Sequence, residues 1–153
     1  MFFRKRKEKE GNNLALFVDG PNIIRKEFNI DLDELRRIAE RYGRIVTGRV
    51  FLNQHASEKL IEAIANQGFE PKVVLAGELE PDVDVSVAVD IVRACFNENI
   101  DTIALVSRDA DYLPALQLAK EKGKRVLVIA TKPGFSKALQ HVADYVELLS
   151  KRF

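Results

Sequence analysis

The sequence predicts an α/β fold in which a mainly parallel sheet is covered by helices on both faces. Short apolar segments of strand length alternate with segments of helical period from residue 13 onward. No internal repeat, low-complexity stretch or interdomain linker interrupts this alternation. Strands that alternate with helices in this way are typical of parallel sheets, and right-handed crossovers leave mostly doubly wound topologies.

Five strands and a shorter sixth strand at an edge of the sheet are expected. The apolar runs that predict them end at turn residues, as the first run does at Asp19-Gly20-Pro21-Asn22. The predicted strands span residues 14–18, 45–52, 73–76, 102–107 and 125–130, and the edge strand spans 145–149.

Capping residues and apolar spacing predict five helices between these strands. Asp31 and Glu34 have the spacing of a capping box at the start of the first helix. The third helix is rich in valine, which favours burial on more than one of its faces. The five helices are expected within residues 31–43, 57–68, 81–97, 111–122 and 136–142.

The chain is expected to form one domain, residues 13–153, preceded by a basic arm, residues 1–12. Residues 1–10 hold five basic and two acidic side chains, a local charge of +3. Because the whole chain carries +1, the remainder carries −2. Such an arm is expected either to add nonspecific affinity for nucleic acid or to be a solvated tail.

The composition excludes several kinds of site. Cys95 is the single cysteine, so an intramolecular disulfide framework is ruled out, and with two scattered histidines a zinc site of nitrogen and sulfur ligands is not expected. The longest apolar runs are too short to span a bilayer, and no apolar stretch follows the N-terminal charges as it would in a secretory signal. We therefore expect a cytoplasmic protein without membrane contact.

Aspartates stand at three points where a parallel sheet would gather ligands. Asp19 follows the first strand, and Asp109 and Asp111 follow the fourth. Asp82 and Asp84 open the valine-rich helix. In doubly wound sheets, ligands bind at the carboxyl ends of the strands, where the strand order reverses. The sequence therefore predicts an acidic site at that edge.

A cluster of carboxylates needs either protons or a cation. Two carboxylates about 4 Å apart repel by roughly 4 kcal/mol at an effective dielectric near 20. An all-oxygen set, with Asn22 and Ser107 nearby, suits a hard ion such as Mg²⁺ or Mn²⁺. Such an ion can polarise water, orient a phosphate and stabilise charge on a transferring group.

Three segments resemble the motifs of the NYN domain family. They are Phe17-Val18-Asp19-Gly20-Pro21-Asn22-Ile23, the acidic helix Asp82-Val83-Asp84-Val85-Ser86-Val87-Ala88-Val89-Asp90, and Ser107-Arg108-Asp109-Ala110-Asp111-Tyr112, usually written Ser-Gly-Asp-x-Asp-Phe. Their order and spacing match, and the resemblance covers about residues 13 to 149.

This resemblance implies a PIN-like, three-layer α/β/α fold with five or six strands in the order 3-2-1-4-5. It also implies a ribonuclease dependent on Mg²⁺ or Mn²⁺, or a regulatory protein of the same fold, with RNA as the partner. Carried over by position, the catalytic and metal-binding acids are Asp19, Asp84, Asp109 and Asp111. Asn22 and Ser107 would position a water or a phosphate. Whether the protein forms a homodimer is left open by the sequence.

Two positions depart from the family pattern. Arg108 stands where glycine is usual, and Pro81-Asp82 stands where lysine-glycine is common. Arg108 is expected either to bind the substrate phosphate or to cap its loop. The loop at residues 132–136 lies at the same sheet edge and is interpreted either as a phosphate-binding segment or as a plain connection.

Each acid also has a structural interpretation. Asp19 is suited to forming a turn, and Asp109 and Asp111 are both suited to capping the following helix, Asp111 more so. On a helix Asp82 and Asp84 point about 200° apart, so at most one faces the site. Asp90 is three residues before Arg93, a spacing that favours an ordinary ion pair.

Three rival functions are weighed against a ribonuclease. A non-catalytic RNA- or protein-binding regulatory module would keep the acids without using them. A phosphatase of the haloacid dehalogenase type needs Asp-x-Asp after the first strand, where this chain has Asp19-Gly20-Pro21. A nucleotide-binding Rossmann protein needs Gly-x-Gly-x-x-Gly there, which is also missing.

Overall fold

A computed structural model of the protein describes residues 11–24, 31–75, 83–132 and 134–150. The strands are β1 Asn13–Asp19, β2 Arg44–Asn53, β3 Glu70–Val74, β4 Thr102–Val106, β5 Arg125–Ala130 and β6 Tyr145–Leu148. The helices are α1 Gly20–Ile23, α2 Leu32–Glu40, α3 Glu58–Asn66, α4 Asp84–Cys95, α5 Leu113–Glu121 and α6 Lys137–Val142, with a 3₁₀ turn at Ala110–Tyr112. The predicted arm falls almost wholly outside the described residues, as do Pro81 and Asp82.

The six strands form one sheet in the order β3-β2-β1-β4-β5-β6, and every neighbouring pair is parallel. This confirms the predicted α/β class, the order 3-2-1-4-5 and the added edge strand. The strand order reverses between β1 and β4, where Val18 lies beside Val106. The residues that follow these two strands therefore emerge side by side at one edge of the sheet.

Each face of the sheet packs against its own layer of helices. On one face, inward side chains of β1 and β4 such as Phe17 and Leu105 pack with α4, α5 and α6. On the other face, side chains such as Leu16 and Ala104 pack with α1, α2 and α3. Since successive strand residues point to opposite faces, the apolar residues in the interior of β1 and β4 supply both cores at once.

Local capping fixes several helix starts. Asp31 accepts from the backbone N–H groups of Asp33 and Glu34, so it is the N-cap of α2 as predicted. Ser57 and Ser136 cap α3 and α6 in the same way. In the described part of the chain, no helix is both long and apolar enough to cross a membrane.

Two expectations about individual elements were wrong. The third strand begins at Glu70 and not at residue 73, because β2 pairs with it from Arg49↔Glu70 onward. Pro71 is tolerated there because β3 lies at the edge of the sheet. The valine-rich helix α4 buries one face only: Val87 and Ile91 are buried, whereas Val85 and Val89 are exposed.

Candidate metal centre

The first and fourth strands deliver their acids to the predicted edge. Asp19 is the last residue of β1 and is buried, at 4 % exposure. Ser107 follows β4 directly, and Asp109, two residues further along, is the N-cap of the 3₁₀ turn. Asp84 is the first residue of α4, the helix that packs on β1 and β4. The sheet reversal thus brings together three segments that are far apart in sequence.

Gly20 allows the chain to turn sharply after Asp19. A Cβ atom at Gly20 would lie 2.2 Å from the backbone oxygen of Phe51 on β2, so any other residue would collide with the neighbouring strand. Asp19 also caps the short helix α1, since its Oδ1 accepts from the backbone N–H of Asn22 at 3.4 Å. The turn interpretation of Asp19 and its place at the site are therefore compatible.

Tyr112 is a site residue that the sequence interpretation missed. It is buried, and its hydroxyl donates to Oδ2 of Asp19 at 2.7 Å. The resemblance carried a signal for it, because the family motif usually has phenylalanine at this position. The hydroxyl that distinguishes this chain from that pattern is the group that contacts the acid.

Three carboxylates act on this hydroxyl. Burial raises the pKa of Tyr112 above its ordinary value, and so do the charge and hydrogen bond of Asp19 and the charges of Asp84 and Asp109. A phenol in such surroundings stays protonated and remains a donor to Asp19. Tyr112 therefore lies within electrostatic reach of acids from β1, from α4 and from the loop after β4.

Asp109, and not Asp111, caps the turn that follows β4. Its Oδ1 accepts from the backbone N–H of Asp111 at 3.0 Å, and its own N–H donates to Oγ of the buried Ser107 at 3.1 Å. The expectation that Asp111 is the likelier cap was wrong, because the helix α5 starts only at Leu113, with Pro114 in its first turn. Asp111 is exposed.

Arg108 connects the loop after β4 to Asn22, which follows β1, through hydrogen bonds. Its backbone N–H donates to Oδ1 of Asn22 at 3.0 Å, Nε donates to the same oxygen at 3.4 Å, and Nη2 donates to the backbone oxygen of Asn22 at 3.1 Å. Its Nη1 lies 3.3 Å from where a Cβ of Gly134 would be, and Gly134 has a positive φ of 73°. Arg108 therefore ties the loops after β1, β4 and β5 together.

An open cleft of about 420 Å³ lies between these loops. Its lining comprises Asn22, Arg108, Asp109, Ala110, Gly134 and Ser136. The backbone N–H of Ser136 donates to the backbone oxygen of Arg108 at 3.2 Å, so the loop after β5 is a wall of this cleft. The cleft presents the guanidinium of Arg108 and the amide of Asn22, which suit a phosphate, beside the carboxylate of Asp109, which repels a phosphate unless a cation lies between them.

The other titratable residues weighed in the sequence are a buried acid, a buried cysteine and two histidines. Asp90 is buried and pairs with Arg93 at 3.5 Å, which confirms the expected ion pair. Cys95 is buried in the core, and burial raises its pKa, which disfavours the reactive thiolate. His55 and His141 are exposed.

The acids at this edge offer oxygen donors, which are the ligands that a hard cation prefers. Among the described residues, no group of three or more His, Cys, Asp and Glu side chains is arranged to hold a metal ion. Mg²⁺, however, keeps several waters and is usually bound by one or two carboxylates together with substrate phosphates. Asp19 and Asp109 carry oxygen donors of that kind, and Asp109 lines the cleft.

Asp109→Asn separates the charge of Asp109 from its capping role. We expect Mn²⁺ affinity to fall by at least about ten- to hundredfold, which is the range for losing an outer-shell partner. Melting temperature in metal-free buffer should stay the same or rise, because asparagine still caps the turn and repulsion among the acids decreases. Calorimetric titration and thermal melts measure both. A fall of several degrees without metal would show that the carboxylate is needed for folding.

Comparison with known proteins agrees with these observations. Residues 13–149 match the NYN domain family. An uncharacterized protein of Methanocaldococcus jannaschii is 57% identical over 153 residues, all of this chain, and the chain spans 62% of the length of that relative. A crystal structure of a protein of unknown function from Vibrio parahaemolyticus superposes with a TM-score of 0.81 at 18% identity, covering 95% of this chain and 97% of that one. With nearly its whole length matched, the chain belongs to the NYN domain family.

Proposed function

We propose that the protein is a divalent-metal-dependent ribonuclease that hydrolyses phosphodiester bonds of RNA at the acidic edge of the sheet. One observation carries this proposal: Asp19 ends β1 and Asp109 follows the adjacent strand β4, so both carboxylates lie where the strand order reverses, and Asp109 lines an open cleft there. Carboxylates gathered at a switch point favour a cation. Membership of the NYN domain family, which has a PIN-like nuclease fold, supports the reaction class.

Four acids of the chain would bind the metal ion in such a site. Asp19, held by the hydroxyl of Tyr112, and Asp109, held by its capping bond, would hold Mg²⁺ or Mn²⁺ together with Asp84. Asp111, exposed beside Asp109, would contact the ion's water shell. When bound, the ion would supply charge neutralisation and polarise water and phosphate.

Asn22 and Arg108 would position the phosphate. Because Oδ1 of Asn22 accepts two N–H groups of Arg108, its amide nitrogen is left to donate to a ligand in the cleft. The guanidinium of Arg108 lines the same cleft and holds Asn22, and its positive charge would attract a phosphate there. Ser107 would act indirectly, since its Oγ fixes the backbone of Asp109.

The rival function is a non-catalytic module that binds RNA or a protein. The observation that favours it is the lack of a preformed set of three metal ligands among the described residues. In that case the acids would only cap the turns and helices in which they lie.

RNA cleavage with and without Mn²⁺ separates these functions. We expect cleavage that requires Mn²⁺ or Mg²⁺ and is lost on chelation. Asp84→Asn should reduce cleavage strongly, whereas Asp33→Asn, which removes an exposed carboxylate from α2 on the other side of the sheet, should not. Tight RNA binding without cleavage in either metal would support the non-catalytic module.

A further inference from the structure

Asp90 is a buried acid that the proposed reaction does not use. It lies on α4, and its side chain is only 1% exposed. Three cationic side chains contact it: Arg49 Nη1 at 3.0 Å, Lys72 Nζ at 3.3 Å and Arg93 Nη1 at 3.5 Å. We name these three side chains the Asp90 cation cluster.

The cluster carries more positive charge than Asp90 requires. A buried carboxylate needs a well-placed cationic partner, and Arg49 alone already provides one at 3.0 Å. Glu70 adds a second carboxylate, which contacts Nε of Arg49 at 2.9 Å. Among the residues that the structure describes, three cations thus face two acids, a local balance of +1.

The cationic groups remain accessible to a ligand. The side chains of Arg49, Lys72 and Arg93 are 33%, 37% and 74% exposed. A guanidinium has five N–H donors and an ammonium has three, so each group retains donors after its contact with Asp90. Asp90 therefore holds three partly exposed cations close together. Their remaining donors form a surface that suits an anion.

The cluster lies on the same face of the sheet as α4 and its acid Asp84. Arg49 and Lys72 project from the adjacent strands β2 and β3, and Lys72 Nζ lies 5.4 Å from the ring centre of Phe51, a core residue on that face. Asp84 and Asp90 are six residues apart on α4, which is about 9 Å along the helix axis. A strand passing the acidic site along α4 would meet the cluster within a few nucleotides.

We propose that Arg49, Lys72 and Arg93, assembled by buried Asp90, bind the phosphate backbone of single-stranded RNA beside the acidic site. The proposal rests on the proposed function and identifies where the substrate strand lies. Arginine and lysine are the side chains that bind phosphate without reading sequence. A basic surface next to the acids would offset the repulsion between those acids and the RNA backbone.

The test measures binding of a fluorescently labelled oligouridylate by anisotropy, at several salt concentrations and in EDTA so that no cleavage occurs. The variant carries Lys72→Gln and Arg93→Gln. The matched control carries Lys59→Gln and Arg37→Gln, which remove one exposed lysine and one exposed arginine from α3 and α2 on the opposite face. Both proteins should melt cooperatively, because Arg49 still pairs with Asp90.

We expect the variant to bind roughly tenfold more weakly at low salt and the slope of log affinity against log salt to fall by about 1.4, that is 0.7 for each lost contact with a single strand. The control should bind as the unmodified protein does. Unchanged affinity and slope in the variant would overturn the cluster proposal while leaving the proposed function intact. If the unmodified protein bound no oligouridylate in EDTA, the cluster proposal would be overturned, whereas the proposed function is decided separately by RNA cleavage in Mn²⁺.

Discussion

Replacing Asp19 by asparagine is expected to abolish metal-dependent RNA cleavage. A carboxylate charge about 4 Å from one positive charge is worth roughly 4 kcal/mol at an effective dielectric near 20. Since Mn²⁺ carries two positive charges, we expect Mn²⁺ affinity to fall by at least about a thousandfold. The fold should persist, because the asparagine oxygen can still accept the hydrogen bond from Tyr112. Calorimetric titration with Mn²⁺ and a cleavage assay measure the two effects.

Asp101→Asn is the matched control for this change. Asp101 is a partly buried acid just before β4, at the opposite end of the strand from Asp109, and its Oδ2 accepts from the backbone N–H of Asn13 at 2.8 Å. Its replacement removes the same charge far from the site. Equal losses of Mn²⁺ affinity in both variants would mean that Asp19 acts only through the overall charge of the protein.

Replacing Tyr112 by phenylalanine restores the usual family residue and is expected to destabilise the metal-free protein. The variant loses a buried hydrogen bond to a charged carboxylate, which is worth about 2 kcal/mol. For a domain of this size, we expect a fall in melting temperature of about 4–8 °C. At saturating Mn²⁺ the deficit should shrink, because the ion then compensates the charge of Asp19. Thermal melts with and without Mn²⁺ test this.

Tyr42→Phe provides the comparison for Tyr112→Phe. The hydroxyl of Tyr42 also donates to a carboxylate, that of Glu147, but the pair lies on the side of the sheet that packs against α2. Its loss should lower the melting temperature equally with and without Mn²⁺. If the deficit of Tyr112→Phe were likewise independent of Mn²⁺, Tyr112 would serve only to satisfy a buried acid.

Local signals in the sequence were sufficient to predict the architecture. The alternation of apolar runs and capped helical segments indicated a parallel sheet, and the order of its strands followed from the family motifs. The residues after β1 and β4 could be assigned to one edge for the same reason, since parallel strands end together. The position of Asp19 and Asp109 at this edge could therefore be predicted from the sequence.

Contacts between distant residues could not be predicted in this way. The hydroxyl of Tyr112 meets a residue 93 positions away, and Arg108 meets Asn22 across 86 positions. Asp90 has a sequence-local partner in Arg93, but Arg49 and Lys72 reach it only because β2 and β3 lie beside α4. Sequence spacing predicts which residues are neighbours on one helix or strand, whereas these contacts depend on how the helices and strands pack against each other.

The most direct test of the metal centre is the anomalous scattering of crystals soaked in Mn²⁺. Asp19, Asp84 and Asp109 are proposed to act on one ion or one ion cluster at the edge between β1 and β4. We predict an anomalous peak within coordination distance of the carboxylates of Asp19 and Asp109, next to the cleft lined by Asn22 and Arg108. A protein saturated with Mn²⁺ that showed no peak there, or peaks only at exposed acids elsewhere, would contradict the account.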